Sequence, residues 1–205
     1  MADLQCPVRI VLGRHGAAST PDGESPRTLT RRGVAQAEAL AAVAASLKVA
    51  AVWSSTMLRA RQTADIVADR LGLDVVPDDR LRELINDERW TPPLRQEDEP
   101  GDVYAAWLDG DLDGTILGET GHDVVGRLQS VVEEVADRFR GEAVLLVSHG
   151  GIIELGLTHL ARNVNAAFVD SHPLDNGEAV EVEVDSSGWA CTTWAGEPMG
   201  ARLQA

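Results

Sequence analysis

The sequence predicts a three-layer α/β/α fold with a mostly parallel central sheet and an inserted lid. Three observations carry this reading. Short β-branched apolar runs alternate with longer stretches of helical periodicity, several of those runs lead into polar or Gly-containing turns, and a single acidic, Pro-rich stretch interrupts the alternation. Strands separated by helices imply parallel pairing with both faces covered. A length of 205 residues suits one domain, 1–205, with the insertion at about 84–117.

The elements follow in order. Residues 8–12 are apolar and β-branched, as a buried strand requires, and a polar loop follows through residue 27. Thr30 can cap a helix that runs through Gln36, Ala37, Leu40, Ala41, Val43 and Leu47. Residues 50–53 form a short strand, and Ser54, Ser55 and Thr56 lead into a helix carrying Leu58, Ile66, Val67 and Leu71. A further strand at 73–76 is stopped by Pro77. Val124, Leu128, Val131, Val132, Val135 and Phe139 recur at helical spacing over 123–140. Residues 143–147 are the clearest buried strand, and Gly150-Gly151 opens a helix through about Leu160. Period-two alternation over 178–184, a turn at 185–188 and an apolar run over 189–194 predict a hairpin. Within the insertion, Trp90, Tyr104 and Trp107 sit among acids and prolines, with a short helical pattern over 102–108, so a folded lid is expected.

Composition narrows the function. A formal net charge of −15 argues against nucleic acid or an anionic membrane as partner. No apolar run approaches the roughly 18 residues of a membrane span. The first apolar stretch is too short for a signal-peptide core. The only cysteines, Cys6 and Cys191, make neither a disulfide framework nor a CxxC pair, so a cytoplasmic location is expected. Charge is also unevenly spread: residues 1–82 hold 11 basic and 9 acidic groups, whereas 84–123 hold 11 acids and only Arg89 and Arg95. An anion site should therefore draw its cations from the first eighty residues. An acidic lid over such a site should favour monophosphates without a second anionic group.

Two of the five histidines share one context. His15 in Leu12-Gly13-Arg14-His15-Gly16 and His149 in Val147-Ser148-His149-Gly150-Gly151 each follow an apolar strand and precede Gly. Ligands of open parallel sheets bind beyond the carboxyl ends of strands, so both imidazoles are candidates for one crevice. Arg14, and Arg59 with Arg61 at the start of a helix, can hold phosphate oxygens, although a solvated helix face explains Arg61 better. Glu83, after a strand and before the lid, is a candidate proton donor among 33 acids. His122, His159 and His172 receive no role. There is no GxxxxGK[ST], HExxH or GxSxG, and no local cluster of metal ligands.

These residues lie in five blocks, in order, that resemble the histidine phosphatase superfamily, the phosphoglycerate mutase-like proteins, and in particular its phosphatase branch. Arg14-His15-Gly16 matches the family's triplet, and Leu29-Thr30 through Gly33 to Gln36-Ala37 matches its "LT..G..QA". Ser54-Ser55, Arg59-Ala60 and Gln62-Thr63-Ala64 match "SS..RA.QTA". Leu81-Arg82-Glu83 carries its acid, Gly118-Glu119-Thr120 resembles "GES", and Val147 to Gly151 its second histidine motif. The resemblance spans roughly residues 8–184 and implies a mutase-like fold. It implies a metal-independent phosphomonoester hydrolase acting on a small phosphorylated metabolite, with no cofactor. On this basis His15 would attack phosphorus and become phosphohistidine. Arg14, Arg59, His149 and Gly150 would bind the phosphoryl group, the charge coming from the arginines and a protonated His149. Glu83 would protonate the leaving oxygen and then activate water.

The chain also departs from the pattern. Ala17, Ala18 and Pro21 stand where relatives often have Glu, a hydroxyl residue and Asn, and Ser19 or Thr20 is left as a replacement hydroxyl. The Lys and paired Arg with which mutases hold a glycerate carboxylate are missing. A phosphoglycerate-type mutase and a non-catalytic phospho-ligand binder are the alternatives, and a homodimer stays open.

Overall fold

The computed structural model describes residues 7–20, 26–84 and 99–200. In chain order the elements are β1 (Val8–Arg14), α1 (Arg31–Ser46), β2 (Ala51–Ser54), α2 (Leu58–Leu71), β3 (Val75–Pro77), a 3-10 turn (Asp79–Leu81), α3 (Pro100–Leu108), β4 (Thr115–Ile116), β5 (Glu119–Thr120), α4 (Gly121–Arg138), β6 (Ala143–Ser148), α5 (Gly150–Leu160), α6 (Ala166–Ser171), β7 (Ala179–Asp185), β8 (Gly188–Trp194) and β9 (Glu197–Pro198). Seven strands form one sheet in the order β3-β2-β6-β1-β7-β8-β9. The first four are parallel and the last three antiparallel. The hairpin read from period-two alternation thus extends a parallel core.

Alternation along the central strands feeds two cores. Ile10, Leu12, Val144 and Leu146 join α3, α4 and α5 on one face, while Val11, Leu145 and Val147 join α1 and α2 on the other. Each strand is therefore apolar on both sides, as a sheet covered twice requires. The Thr30 hydroxyl caps α1 by accepting from Gly33 N–H at 3.1 Å. Helix α4 begins two residues before the apolar pattern suggests. Thr120 and Asp123 close a reciprocal capping box there, so Asp123 is the third helical residue rather than the first. Short features that left no periodic signal include α6, capped by Asn165, and the β4–β5 hairpin, whose turn residues Leu117 and Gly118 have φ of 50° and 85°.

Of the insertion expected at 84–117, residues 85–98, with Trp90, lie outside the described residues. The remainder packs into the main core. Trp107 is fully buried, its Nε1 donates to Gly114 O at 3.0 Å, and a Cβ at Gly121 would lie 2.9 Å from Trp107 Cγ. Tyr104 leans onto α5, its hydroxyl donating to Gly151 O at 3.1 Å. Among the described residues no helix is long and apolar enough to cross a membrane.

If α3 is part of the core, Trp107→Ala should cost about 3–5 kcal/mol of stability. Urea unfolding measures this, and a loss below about 1 kcal/mol would mark the segment as an appendage.

Candidate active site

The parallel strands β1, β2 and β6 end side by side, Arg14 opposite Ser148 and Ser54 opposite Val147. Pairing continues one residue further, with His15 N–H donating to Ser148 O at 3.0 Å and Ser55 N–H to Val147 O at 2.9 Å. The chain leaves the sheet at His15, Ser55 and His149 in one crevice. The two histidine rings meet edge to face with centroids 5.0 Å apart.

His15 is 5% exposed, and its Nδ1 lies 2.7 Å from Gly16 O. A carbonyl only accepts, so Nδ1 carries the proton and Nε2 keeps a lone pair. Arg59 Nε donates to that Nε2 at 3.0 Å, which requires the same tautomer. Burial pulls the His15 pKa from 6.5 to about 3. The charges of Arg59, Arg14 and Arg27 add to this, against the raising effect of the Gly16 carbonyl. His15 is therefore a neutral, oriented base beside guanidinium groups.

The matched sequence blocks build the loop that holds it. A Cβ at Gly16 would lie 2.3 Å from Gly33 O, and one at Gly33 only 2.0 Å from Ala17 O, so both positions need glycine for close backbone approach. Thr30 donates to Ala17 O, and Gln36 accepts from Ala17 N–H at 2.8 Å while donating to Asn176 O at 2.5 Å. Thr63 Oγ1 accepts from Gly16 N–H and donates to Arg59 O, tying the histidine loop and the arginine together. Gln62 accepts from Leu29 N–H at 2.8 Å. Asn176, which carried no sequence signal, donates to His15 O at 3.0 Å.

His149 is fully buried, with Nε2 2.8 Å from Ser55 Oγ. Ser55 Oγ also accepts from Met57 N–H at 3.2 Å; when its own proton goes to His149 Nε2, the His149 proton sits on Nδ1. Burial, then the charges of His15, Arg59, Arg127 and Arg14, hold the His149 pKa well below 6.5. In the free site the ring is therefore neutral, where a protonated His149 is expected beside a bound phosphoryl group. Its Nδ1 and Arg14 Nε are buried and have no hydrogen-bond partner among the described residues, and the oxygens of an anion would satisfy both.

Helix α5 gathers the remaining groups at its N-terminus. A Cβ at Gly150 would meet the Arg14 guanidinium at 3.2 Å, and one at Gly151 would meet Glu83 Oε1 at 2.8 Å, so two consecutive glycines make room for both side chains. Glu83 Oε1 accepts from Leu84 and Ile152 N–H at 3.0 and 3.1 Å, and Oε2 from Gly151 N–H at 3.3 Å. Arg127 on α4, unmarked in the sequence reading, holds the Glu83 segment from behind. It donates to the carbonyls of Arg80, Arg82 and Glu83 and pairs with Glu119 at 3.1 Å. Glu119 also pairs with Arg82 at 2.6 Å, so the acid of the "GES"-like block is a brace.

Other candidates fall elsewhere. Arg61 pairs with Asp65 along α2 at 3.8 Å. Ser19 Oγ accepts from Thr28 N–H and Thr20 is exposed. The loop instead contributes Arg27, fixed by Nε donating to Ser19 O at 2.7 Å and felt electrostatically at His15. His122 is exposed near Asp113, His159 bonds Trp107 O, and His172 stacks on Phe168. Asp109, Asp111 and Asp113 are exposed, and Asp123 and Glu119 have structural partners. These five acids thus give no support to an electrostatic filter over the site. Among the described residues no group of three His, Cys, Asp or Glu side chains could hold a metal ion.

The description "histidine phosphatase superfamily (branch 1)" belongs to the family model that matches residues 10–196. Among solved structures, a mycobacterial glucosyl-3-phosphoglycerate phosphatase in complex with VO3 is 28% identical, with a TM-score of 0.71 over 91% of this chain and 98% of that one. A protein described as mycobacterial hydrolase 2 is 26% identical, with a TM-score of 0.72 over 96% and 94%. The alpha-ribazole phosphatase from Shigella flexneri, 22% identical with a TM-score of 0.66 over 96% and 98%, shares the fold. No curated protein matches the sequence.

The neutrality of His15 has a thermodynamic consequence. Between pH 6.5 and about 3 the unfolded ring binds a proton that the folded ring does not, so stability falls as pH falls through this window. From pH 7.5 to 5, His15 should contribute about 2 kcal/mol of lost stability. Urea unfolding at both pH values should show His15→Asn losing that much less than wild type; equal losses would contradict a neutral His15.

Proposed function

The chain belongs to branch 1 of the histidine phosphatase superfamily, and from that premise we propose that it hydrolyses phosphomonoesters of small metabolites through a phosphohistidine on His15. The observation that carries this is the His15 tautomer: Nδ1–H fixed on Gly16 O at 2.7 Å, with the Nε2 lone pair turned to Arg59. A phosphoryl group entering between them accepts the Arg59 N–H and presents phosphorus to Nε2. Arg14 Nε, Arg59, His149 Nδ1–H and the amide at Gly150 that opens α5 then stabilise charge on the equatorial oxygens.

In the first step the Nε2–P bond forms as the ester P–O bond breaks, and the Glu83 carboxyl gives its proton to the leaving alkoxide. In the second, the Glu83 carboxylate takes a proton from water as its oxygen attacks phosphorus. The N–P bond then breaks, phosphate leaves and His15 is regenerated. The cations are arginines, so turnover needs no metal. The phosphatase among the solved structures that share this fold at 28% identity supports hydrolysis over phosphoryl shuttling.

Rapid quenching during turnover of a labelled phosphomonoester should trap acid-labile, alkali-stable phosphate on His15. His15→Ala should lose activity about a thousandfold or more while staying folded. Label on another residue, or near-normal turnover by His15→Ala, would overturn the mechanism. Separately, Glu83→Gln should slow alkyl phosphates about a hundredfold and nitrophenyl phosphate only a few-fold, because a nitrophenolate leaves without a proton. Equal losses on both would move the acid role elsewhere.

A further inference from the structure

Glu154 is a half-buried carboxyl on α5 that the mechanism above does not use. It stands four residues after Gly150 and three after Gly151, on the face of the helix over which Arg14 lies. Its Oε1 accepts from Leu174 N–H at 2.8 Å. The carbonyl of the same residue, Leu174, accepts from Arg14 Nη1. Arg14 and Glu154 therefore grip the backbone of one loop residue from its two sides, the amide by the carboxylate and the carbonyl by the guanidinium. Tyr104 on α3, whose hydroxyl donates to Gly151 O at 3.1 Å, lies close enough to interact with Glu154. The same loop continues to Asn176 and Gly177, which bond the backbone at Arg14 and His15: Asn176 Nδ2 donates to His15 O, and Gly177 N–H to Arg14 O at 3.1 Å.

A guanidinium has five donors in a rigid plane, so fixing one of them on a carbonyl fixes the aim of the others. Arg14 Nη1 is occupied by Leu174, whereas Nε has no partner among the described residues. The Leu174 carbonyl thus constrains where the remaining Arg14 donors point, and Glu154 holds the amide of that same residue. We propose that Glu154 is a positioning residue for the phosphoryl site, setting the Arg14 guanidinium through the backbone of Leu174. The inference rests on the reading of Arg14 as a phosphoryl ligand. It gives Glu154 no contact with the reacting atoms.

Orthovanadate affinity, measured by titration of wild type and variants, tests this without depending on turnover. Glu154→Met fills the volume but accepts no hydrogen bond, and should weaken vanadate binding about 5- to 20-fold. Glu154→Gln retains an acceptor for Leu174 N–H and should stay within about twofold of wild type. In an Arg14→Ala background, Glu154→Met should add no more than about a twofold loss, because the group it positions is gone. Equal losses from Glu154→Met with and without Arg14 would overturn the proposal, as would Glu154→Gln binding as weakly as Glu154→Met. A wild type that binds vanadate with this pattern yet releases no phosphate from any monoester would refute the proposed function and leave the positioning role standing.

Discussion

The hydrogen bond between His15 Nδ1 and the carbonyl of the next residue, Gly16, governs the rest of the site. It selects one tautomer, turns the other nitrogen toward Arg59, and requires a backbone path that only glycine can follow against Gly33. The support around it makes sense in that light. Thr63 holds the Gly16 amide, Gln36 and Thr30 hold Ala17, and Asn176 holds the His15 carbonyl. These bonds come from α1 and its cap, from α2 and from the loop at Asn176, so the histidine loop has few alternative conformations.

Electrostatics follow from the same burial. Two imidazoles enclosed beside arginines are both neutral, so His15 keeps its Nε2 lone pair and neither ring adds charge to a site already crowded with cations. The cations come from the N-terminal part of the chain, whereas acids dominate 84–123. Two of those acids brace the scaffold: Glu119 fixes Arg82 and Arg127, and Asp123 caps α4. Arg127 in turn fixes the carbonyls around Glu83, so an ion-pair network away from the crevice sets the position of this carboxyl.

The N-terminus of α5 is where these separate systems meet. Arg14 lies over Gly150, Glu83 over Gly151, and Glu154 one turn further along. Small residues at the start of this helix bring a cation and a carboxylate within reach of one anion without the two pairing directly. Both side chains are instead held by backbone: Glu83 by amides, Arg14 by the Leu174 carbonyl.

The sequence by itself determined the layered fold and the ends of most elements, and it singled out His15, Arg14, Arg59, Glu83, His149 and Gly150 as candidates. These are legible because strand and helix periods are local, and because chemistry at strand ends is marked by residue type within a few positions. It did not determine the start of α4, since a capping box outweighs the apolar pattern there. Arg27, Asn176, Arg127 and Glu154 were also invisible, because each acts through a partner distant in the chain. The tertiary structure alone decided the tautomer of His15 and the neutrality of His149. Both depend on how far burial removes a ring from water and which carbonyl or hydroxyl then faces it, and no local pattern of residues encodes that.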